Sequence, residues 1–279
     1  MLGVGLIHFV APHFIIQRPN RPIAAPNLDG MVYEAVSAPG AGGITQRGYL
    51  VTPDSTQRTR GVLIFIHGIG SGKEAFVDSA RDYADAGFAS LIYDQRGHGE
   101  TTGDYITYGF YERHDVAHWV DFLEMRFPDL PIGVWGTSLG GAVALQAMNV
   151  EPRLDFGVVS STFADLREVV HDYQTRYLRG LPLGFLTDHA LRRAGRIANF
   201  DPAAVQPAEA ARRIQQPLLY IHGTNDRRIA IDHGERIFAN VASADKTFVR
   251  VPGGGHLNTF QVGGEDLAER VLAWLVART

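Results

Sequence analysis

The sequence predicts an α/β domain: a mostly parallel central sheet with helices on both faces and a small helical cap. Three observations predict it. Short continuous apolar runs, such as Val62-Leu63-Ile64-Phe65-Ile66, suit strands covered on both faces. These runs alternate with longer helical patterns, the order that winds a parallel sheet. Residues 161–216 break the alternation, with helical patterns and no convincing strand.

The elements follow in chain order. Residues 1–16 are mostly apolar but are interrupted by His8, Pro12 and His13. They lack the basic start and small-residue cleavage site of a signal peptide. They also fall short of the roughly 20 apolar residues that span a bilayer. The segment reads as a helix docked on the domain, or as a membrane-surface anchor or the stub of a longer one. A cytoplasmic protein is expected, with membrane association through this segment as the alternative. Residues 1–30 are read as an N-terminal extension.

Strands at 31–36 and 47–52 look like an antiparallel pair at a sheet edge. A polar turn leads to the strand at 62–66, which ends in His67-Gly68. A helix at 74–86 is stopped by Gly87, and a strand follows at 88–93. A helix at 112–127 ends at Pro128, and the strand at 132–135 runs straight into Gly136. A helix at 139–149 and a strand at 156–160 come next. Beyond the interruption lie strands at 217–222 and 246–251 with a helix between them, then a last helix at 264–277. The core is therefore assigned to 31–160 and 217–279, and 161–216 to a cap insertion. An insertion after a central strand sits over the carboxyl ends of the strands, the edge where open α/β sheets bind ligands.

Composition narrows the chemistry. The chain has 279 residues, enough to bury a full core without staples. It has no cysteine, which removes disulfides, thiolate metal ligands and a cysteine nucleophile. The formal net charge is −4, Lys73 and Lys246 are the only lysines, and the arginines are scattered. No basic stripe with interleaved aromatics appears, so nucleic-acid binding has no support. No metal or other cofactor is expected.

The segment Gly136-Thr137-Ser138-Leu139-Gly140 follows a predicted strand and opens a predicted helix. In so sharp a turn, residues two before and two after the serine approach closely, so both positions favour glycine. The serine is held out on a strained backbone, and the helix points free N–H groups toward it. Ser138 is thus the candidate nucleophile. A serine hydroxyl is weak at neutral pH and needs a base. His256 is the candidate, in Pro252-Gly253-Gly254-Gly255-His256 after the last strand. Its orienting acid is assigned to Asp226, in His222-Gly223-Thr224-Asn225-Asp226, at the carboxyl end of the penultimate strand. Asp165 is the alternative acid, though a helix-start role suits it better. A tetrahedral intermediate needs two aimed N–H donors. Leu139 N–H is one candidate, and Ile69 N–H, in His67-Gly68-Ile69-Gly70, is the other. Tyr173, Tyr177 and Phe185 of the cap are the candidate substrate contacts.

With Asp94-Gln95-Arg96-Gly97-His98-Gly99, a turn expected to be mainly structural, these segments resemble the α/β-hydrolase superfamily from about Met31 onward. Within it the chain is similar to bacterial esterase, thioesterase and monoacylglycerol-lipase-like members with a short cap. It is also similar to the group that includes eukaryotic acyl-protein depalmitoylases, some with a membrane-associated N-terminus. The resemblance implies an α/β-hydrolase fold and a carboxylesterase-like serine hydrolase. A serine nucleophile, rather than an aspartate, argues against haloalkane dehalogenases and epoxide hydrolases. The short His-Gly-Ile-Gly segment departs from the longer glycine run of hormone-sensitive-lipase-like esterases.

Other motifs fail on particular residues. A phosphate loop through Lys73 would need Gly at 67 and Ser or Thr at 74, where His67 and Glu74 stand. A dinucleotide fingerprint from Gly68 would need Gly at 73. His114-Asp115-Val116-Ala117-His118 has the spacing of a zinc-peptidase helix, but carries Asp for Glu and lacks a third ligand. The expected reaction is hydrolysis of a small-molecule carboxylic ester or thioester through an acyl-enzyme. The apolar, Tyr-rich cap suggests an acyl or aromatic substrate with little charge. An amidase or aminopeptidase of the same fold, and a non-enzymatic ligand-binding receptor, are the alternatives. No acidic cluster in the cap offers to capture a substrate amine, which counts against the aminopeptidase.

Overall fold

The computed structural model describes residues 6–17, 26–177 and 183–279. Its centre is one sheet of eight strands: β1 (Val32–Gly40), β2 (Ile44–Thr52), β3 (Gly61–Ile66), β4 (Phe88–Asp94), β5 (Ile132–Thr137), β6 (Phe156–Ser160), β7 (Leu218–Gly223) and β8 (Lys246–Val251). Their spatial order is β1-β2-β4-β3-β5-β6-β7-β8. β1 and β2 form the antiparallel edge pair, and β2 meets β4 antiparallel; every other pairing is parallel. The edge strands run past 36 and start before 47 because Gly42 and Gly43, with φ of 77° and 81°, close a tight hairpin. β3 to β7 are buried throughout, apart from Thr137 at the tip of β5. That burial on both faces is why they read as unbroken apolar runs.

Helices cover both faces. One core layer packs β3–β7 side chains with α3 (Glu112–Arg126), α4 (Leu139–Val150) and α8 (Ile231–Asn240), through residues such as Trp119, Val143 and Ile237. The other packs Phe65, Trp135 and Val158 against α2 (Val77–Asp85) and the C-terminal α9 (Thr259–Val276). A 3₁₀ turn at Lys73–Phe76 leads into α2. The last helix starts before residue 264: Gly264, at φ 58° and ψ −155°, kinks it, and only the part beyond the kink carries an uninterrupted apolar pattern.

Between β6 and β7 lie α5 (Leu166–Tyr177), α6 (Gly184–Ile197) and the short α7 (Pro207–Ala211). The stretch divides in two. Leu166, Val169, Leu191 and Ala194 of α5 and α6 build a separate cluster, with Ile16, Ala142 and Ile229. Ala211 and Ile214, by contrast, belong to the main core beneath the sheet. The N-terminal segment packs into the first of these. It is π-helical over Leu6–Val10 and continues as α1 (Ala11–Ile16). Ile106 N–H donates to the Ile16 carbonyl (2.9 Å), and the Tyr108 hydroxyl to that of Ile15 (2.5 Å). Among the described residues no helix is long and apolar enough to cross a membrane.

Candidate active site

β5 delivers Ser138 to the carboxyl edge of the sheet, and α4 leaves it at once. Ser138 takes φ 57° and ψ −119°, a left-handed backbone that L-residues adopt at a cost. The flanking glycines are obligatory for steric reasons. A Cβ on Gly136 would lie 2.1 Å from the Gly140 carbonyl oxygen. A Cβ on Gly140 would lie 1.9 Å from that of Ile66, on the neighbouring strand. β6 braces the turn: Ser138 N–H donates to Ser160 O (2.9 Å), and the Thr162 hydroxyl donates to Ser138 O (2.6 Å).

The loop after β8 brings His256 over the sheet edge, and the loop after β7 presents Asp226. His256 Nε2 lies 3.0 Å from Ser138 Oγ, and Nδ1 lies 2.8 Å from Asp226 Oδ2. Asp226 Oδ1 accepts from the N–H groups of Arg228 (2.8 Å) and Ile229 (2.9 Å). Fully buried His222 brings Nε2 to 3.4 Å from Oδ2 and 3.0 Å from the Ile229 carbonyl. Burial opposes the charge on Asp226, but hydrogen bonds from His222, His256 and the Ile229 N–H hold its carboxyl well below the usual carboxylate range. Asp226 is therefore a carboxylate at neutral pH, and the Nδ1–H of His256 donates to it. Nε2 is left as an acceptor facing the serine hydroxyl. Asp165, the other acid considered, accepts from Glu168 N–H (3.0 Å) at the start of α5.

Leu139 N–H is the first of α4 and has no intrahelical acceptor. Ile69 N–H has no acceptor among the described residues. The loop carrying it is locked from below by two histidines. His67 Nδ1 donates to Gly68 O (2.8 Å), and its Nε2 accepts from Gln95 N–H (3.0 Å). His98 Nε2 accepts from Gly70 N–H (3.2 Å), and the two rings pack edge to face. Burial, with the His98 ring beside it, pushes the His67 imidazole down to about 3. The histidines that open the His-Gly segment and close the Asp94–Gly99 turn are thus one structural clasp.

Two cavities meet at Ser138. One, of about 350 Å³, is lined by Phe14, Ile15, Tyr108, Leu139, Phe163, Val169, Val170 and Ile229. The other, of about 330 Å³, is lined by His256, Arg228, Leu257, Ser71, Ser161 and Phe260 among others. Ile69 and Tyr173 face both. Tyr108 and Ser161, at φ 57° and 49°, are left-handed like Ser138, so three of the four such non-glycine residues described border these cavities.

Of the three cap residues expected at the substrate, Tyr173 is the one that lines these cavities among the described side chains. The side chain of Tyr177 lies outside the described residues. Phe185 lines neither cavity and is 69% exposed. The reason is helical phase: α6 buries Thr187, Ala190, Leu191 and Ala194, and Phe185 projects from another side. Sequence reasoning missed Phe14, Ile15, Tyr108 and Phe163. Lys73 and Asp115 have structural partners. Lys73 Nζ pairs with Asp94 (2.6 Å) and Glu100 (2.7 Å), and Asp115 pairs with Arg96 (2.7 Å). Among the described residues no cluster of His, Asp and Glu is arranged to hold a metal ion.

Comparison with known proteins agrees with this architecture. The family described as serine aminopeptidase, S33 matches residues 57–184. YqkD of Bacillus subtilis is 29% identical over 217 residues, 76% of this chain and 69% of that protein. The lysophosphatidylserine lipase ABHD12 of Mus musculus is 25% identical over 205 residues, 70% of this chain. The match spans about half the length of that lipase, 48%. Among solved structures, the Pyrococcus furiosus esterase Pf2001 superposes with a TM-score of 0.77 at 20% identity, covering 94% of this chain and 99% of the esterase. DcsB, solved with a substrate analogue, superposes with a TM-score of 0.66 at 20% identity over 88% of this chain and 98% of its own. The sheet order, the serine turn and these likenesses together show that the chain has the α/β-hydrolase fold.

Proposed function

We propose that the protein hydrolyses a carboxylic ester or thioester through an acyl-enzyme on Ser138. One observation carries the reading: His256 bridges the serine hydroxyl and the Asp226 carboxylate at 3.0 and 2.8 Å, with an acceptor nitrogen toward the serine. Ser138 Oγ attacks the acyl carbon as His256 Nε2 takes its proton. Negative charge gathers on the former carbonyl oxygen, which the N–H groups of Ile69 and Leu139 receive. Removing one such donor typically costs about 2.7–4 kcal/mol of transition-state stabilisation. The imidazolium, stabilised by Asp226, then protonates the leaving oxygen or sulfur. Water repeats the sequence in reverse and frees the acid.

The same step assigns the two cavities. The departing atom must lie within reach of His256, which borders only the second cavity. The acyl group therefore occupies the first, whose lining is apolar apart from Ser138, the tethered Tyr108 hydroxyl and Tyr173. At ~30 Å³ per methylene-sized group, the volume of a liquid water, its 350 Å³ holds roughly ten chain carbons. Among the described residues neither cavity is lined by a carboxylate, which counts against capture of the free amine of an aminopeptidase substrate. A lipase among the relatives supports an acyl ester as substrate.

The N-terminal segment supports contact with a lipid surface. Phe9, Val10 and Phe14 are exposed, Phe14 by 82%, and Phe14 also forms a wall of the acyl cavity. Residues 1–28 contain no Asp or Glu, so the segment suits an anionic surface.

Turnover of p-nitrophenyl esters of rising chain length, beside one thioester and one amide, tests the reaction class. The expected result is ester or thioester cleavage improving toward medium chains. Cleavage of the amide alone would overturn the reading.

A further inference from the structure

We propose that the leaving group of the natural substrate carries a phosphate, held by Arg228 and Arg176. The inference rests on the ester-hydrolase reading and names the leaving half of its substrate. The second cavity is where the departing alcohol must sit, because His256 Nε2 delivers the proton that releases it. Arg228 lines that cavity and is exposed, and no ion pair holds its guanidinium among the described residues. Arg176, also exposed, reaches across from α5. Its Nη2 donates to the Arg228 carbonyl (3.0 Å), and its guanidinium lies over the ring of Tyr173, 5.1 Å from the centroid. Tyr173 itself borders the cavity. Neither arginine has an acidic partner among the described residues, while nearby Arg167 and Arg236 are held by Asp188 and Glu168. Two guanidinium groups without acidic partners, one in the cavity wall and the other bonded to its backbone, offer donors suited to a tetrahedral oxyanion.

A separate observation points into the same space. Ser161 is 1% exposed, lines this cavity, and its hydroxyl has no hydrogen-bond partner among the described residues. Its backbone is held left-handed, at φ 49°. A buried hydroxyl without a partner is costly unless something fills that role, and an oxygen-rich head group does so. The acyl cavity contains neither arginine nor this hydroxyl. The low substrate charge expected from the cap thus applies to the acyl half alone.

The test compares two esters with the same eight-carbon acyl chain on the full-length protein: 1-octanoylglycerol and 1-octanoylglycerol 3-phosphate. The wild type is expected to show a kcat/KM at least tenfold higher for the phosphate. The double variant Arg176→Gln/Arg228→Gln should lose that preference, with KM for the phosphate ester rising at least tenfold more than KM for octanoylglycerol. Arg228→Lys, which keeps the charge but not the guanidinium, should recover part of it. Equal use of the two esters by the wild type would overturn the proposal and leave the ester-hydrolase reading standing. So would an equal loss on both esters in the double variant. If neither ester nor any p-nitrophenyl ester is cleaved, the underlying reading fails, and this one with it.

Discussion

Replacing Asp226 by asparagine separates orientation of the base from its mere presence. The structure says which way the new amide faces. Oδ1 of Asp226 sits before two N–H donors, those of Arg228 at 2.8 Å and Ile229 at 2.9 Å. The amide oxygen must take that place, since an NH₂ there would meet two other donors. The NH₂ is then turned toward His256 Nδ1 and donates where the carboxylate accepted. His256 moves its proton to Nε2, which can no longer accept from Ser138 Oγ. A wrong tautomer of this kind costs about 10⁴ in kcat where it has been measured in a serine protease, or about 5.4 kcal/mol. Asp226→Asn should therefore lower kcat about 10⁴-fold. KM should barely change, since Asp226 lines neither cavity. Steady-state kinetics with p-nitrophenyl butyrate, beside a thermal melt to show the fold is kept, makes the measurement. A folded variant within tenfold of wild type would refute the reasoning and reopen the choice of acid.

Three further outcomes follow from the same structure. Val170→Trp fills the acyl cavity from α5, so kcat/KM should fall steeply for esters beyond about six carbons and little for acetate; a uniform fall would place the acyl chain elsewhere. The His67 imidazole is depressed to about 3 in the fold against an ordinary 6.5, so below pH 6.5 the unfolded chain takes up a proton that the fold refuses. Stability from this group is complete above pH 6.5 and is lost as pH falls toward 3, at up to about 1.4 kcal/mol per pH unit. Urea unfolding at pH 7.5 and 5 should show a smaller loss in His67→Asn than in wild type, and equal losses would refute the account. Phe9→Ser/Phe14→Ser should lower co-sedimentation with vesicles of one-third phosphatidylglycerol at least fivefold; unchanged binding would remove the N-terminal segment as the contact.

The parts legible in the sequence are those with a local cause. β3 to β7 announced themselves because strands buried on both faces are apolar along most of their length. The serine turn was legible because contacts near 2 Å leave room only for glycine at 136 and 140. Asp226 and His256 could be nominated because loops at carboxyl strand ends are few, and their order along the chain narrows the choice. What stayed hidden depends on distant contacts. Ile15 reaches the site through contacts such as that with the Tyr108 hydroxyl, 93 residues on, and an apolar stretch near the N-terminus also reads as an anchor. Phe185 was misread because an aromatic on a cap helix looks like a substrate contact until the phase of α6 is known. The clasp of His67 and His98 spans two segments that sequence treats separately.

The central claim is that Ser138 is an activated nucleophile, and covalent labelling tests it most directly. Folded wild-type protein treated with a fluorophosphonate should gain one adduct, located on Ser138 by peptide mass. Ser138→Ala should gain none, and His256→Ala should label far more slowly. Unlabelled wild type, or an adduct that survives Ser138→Ala, would contradict the account.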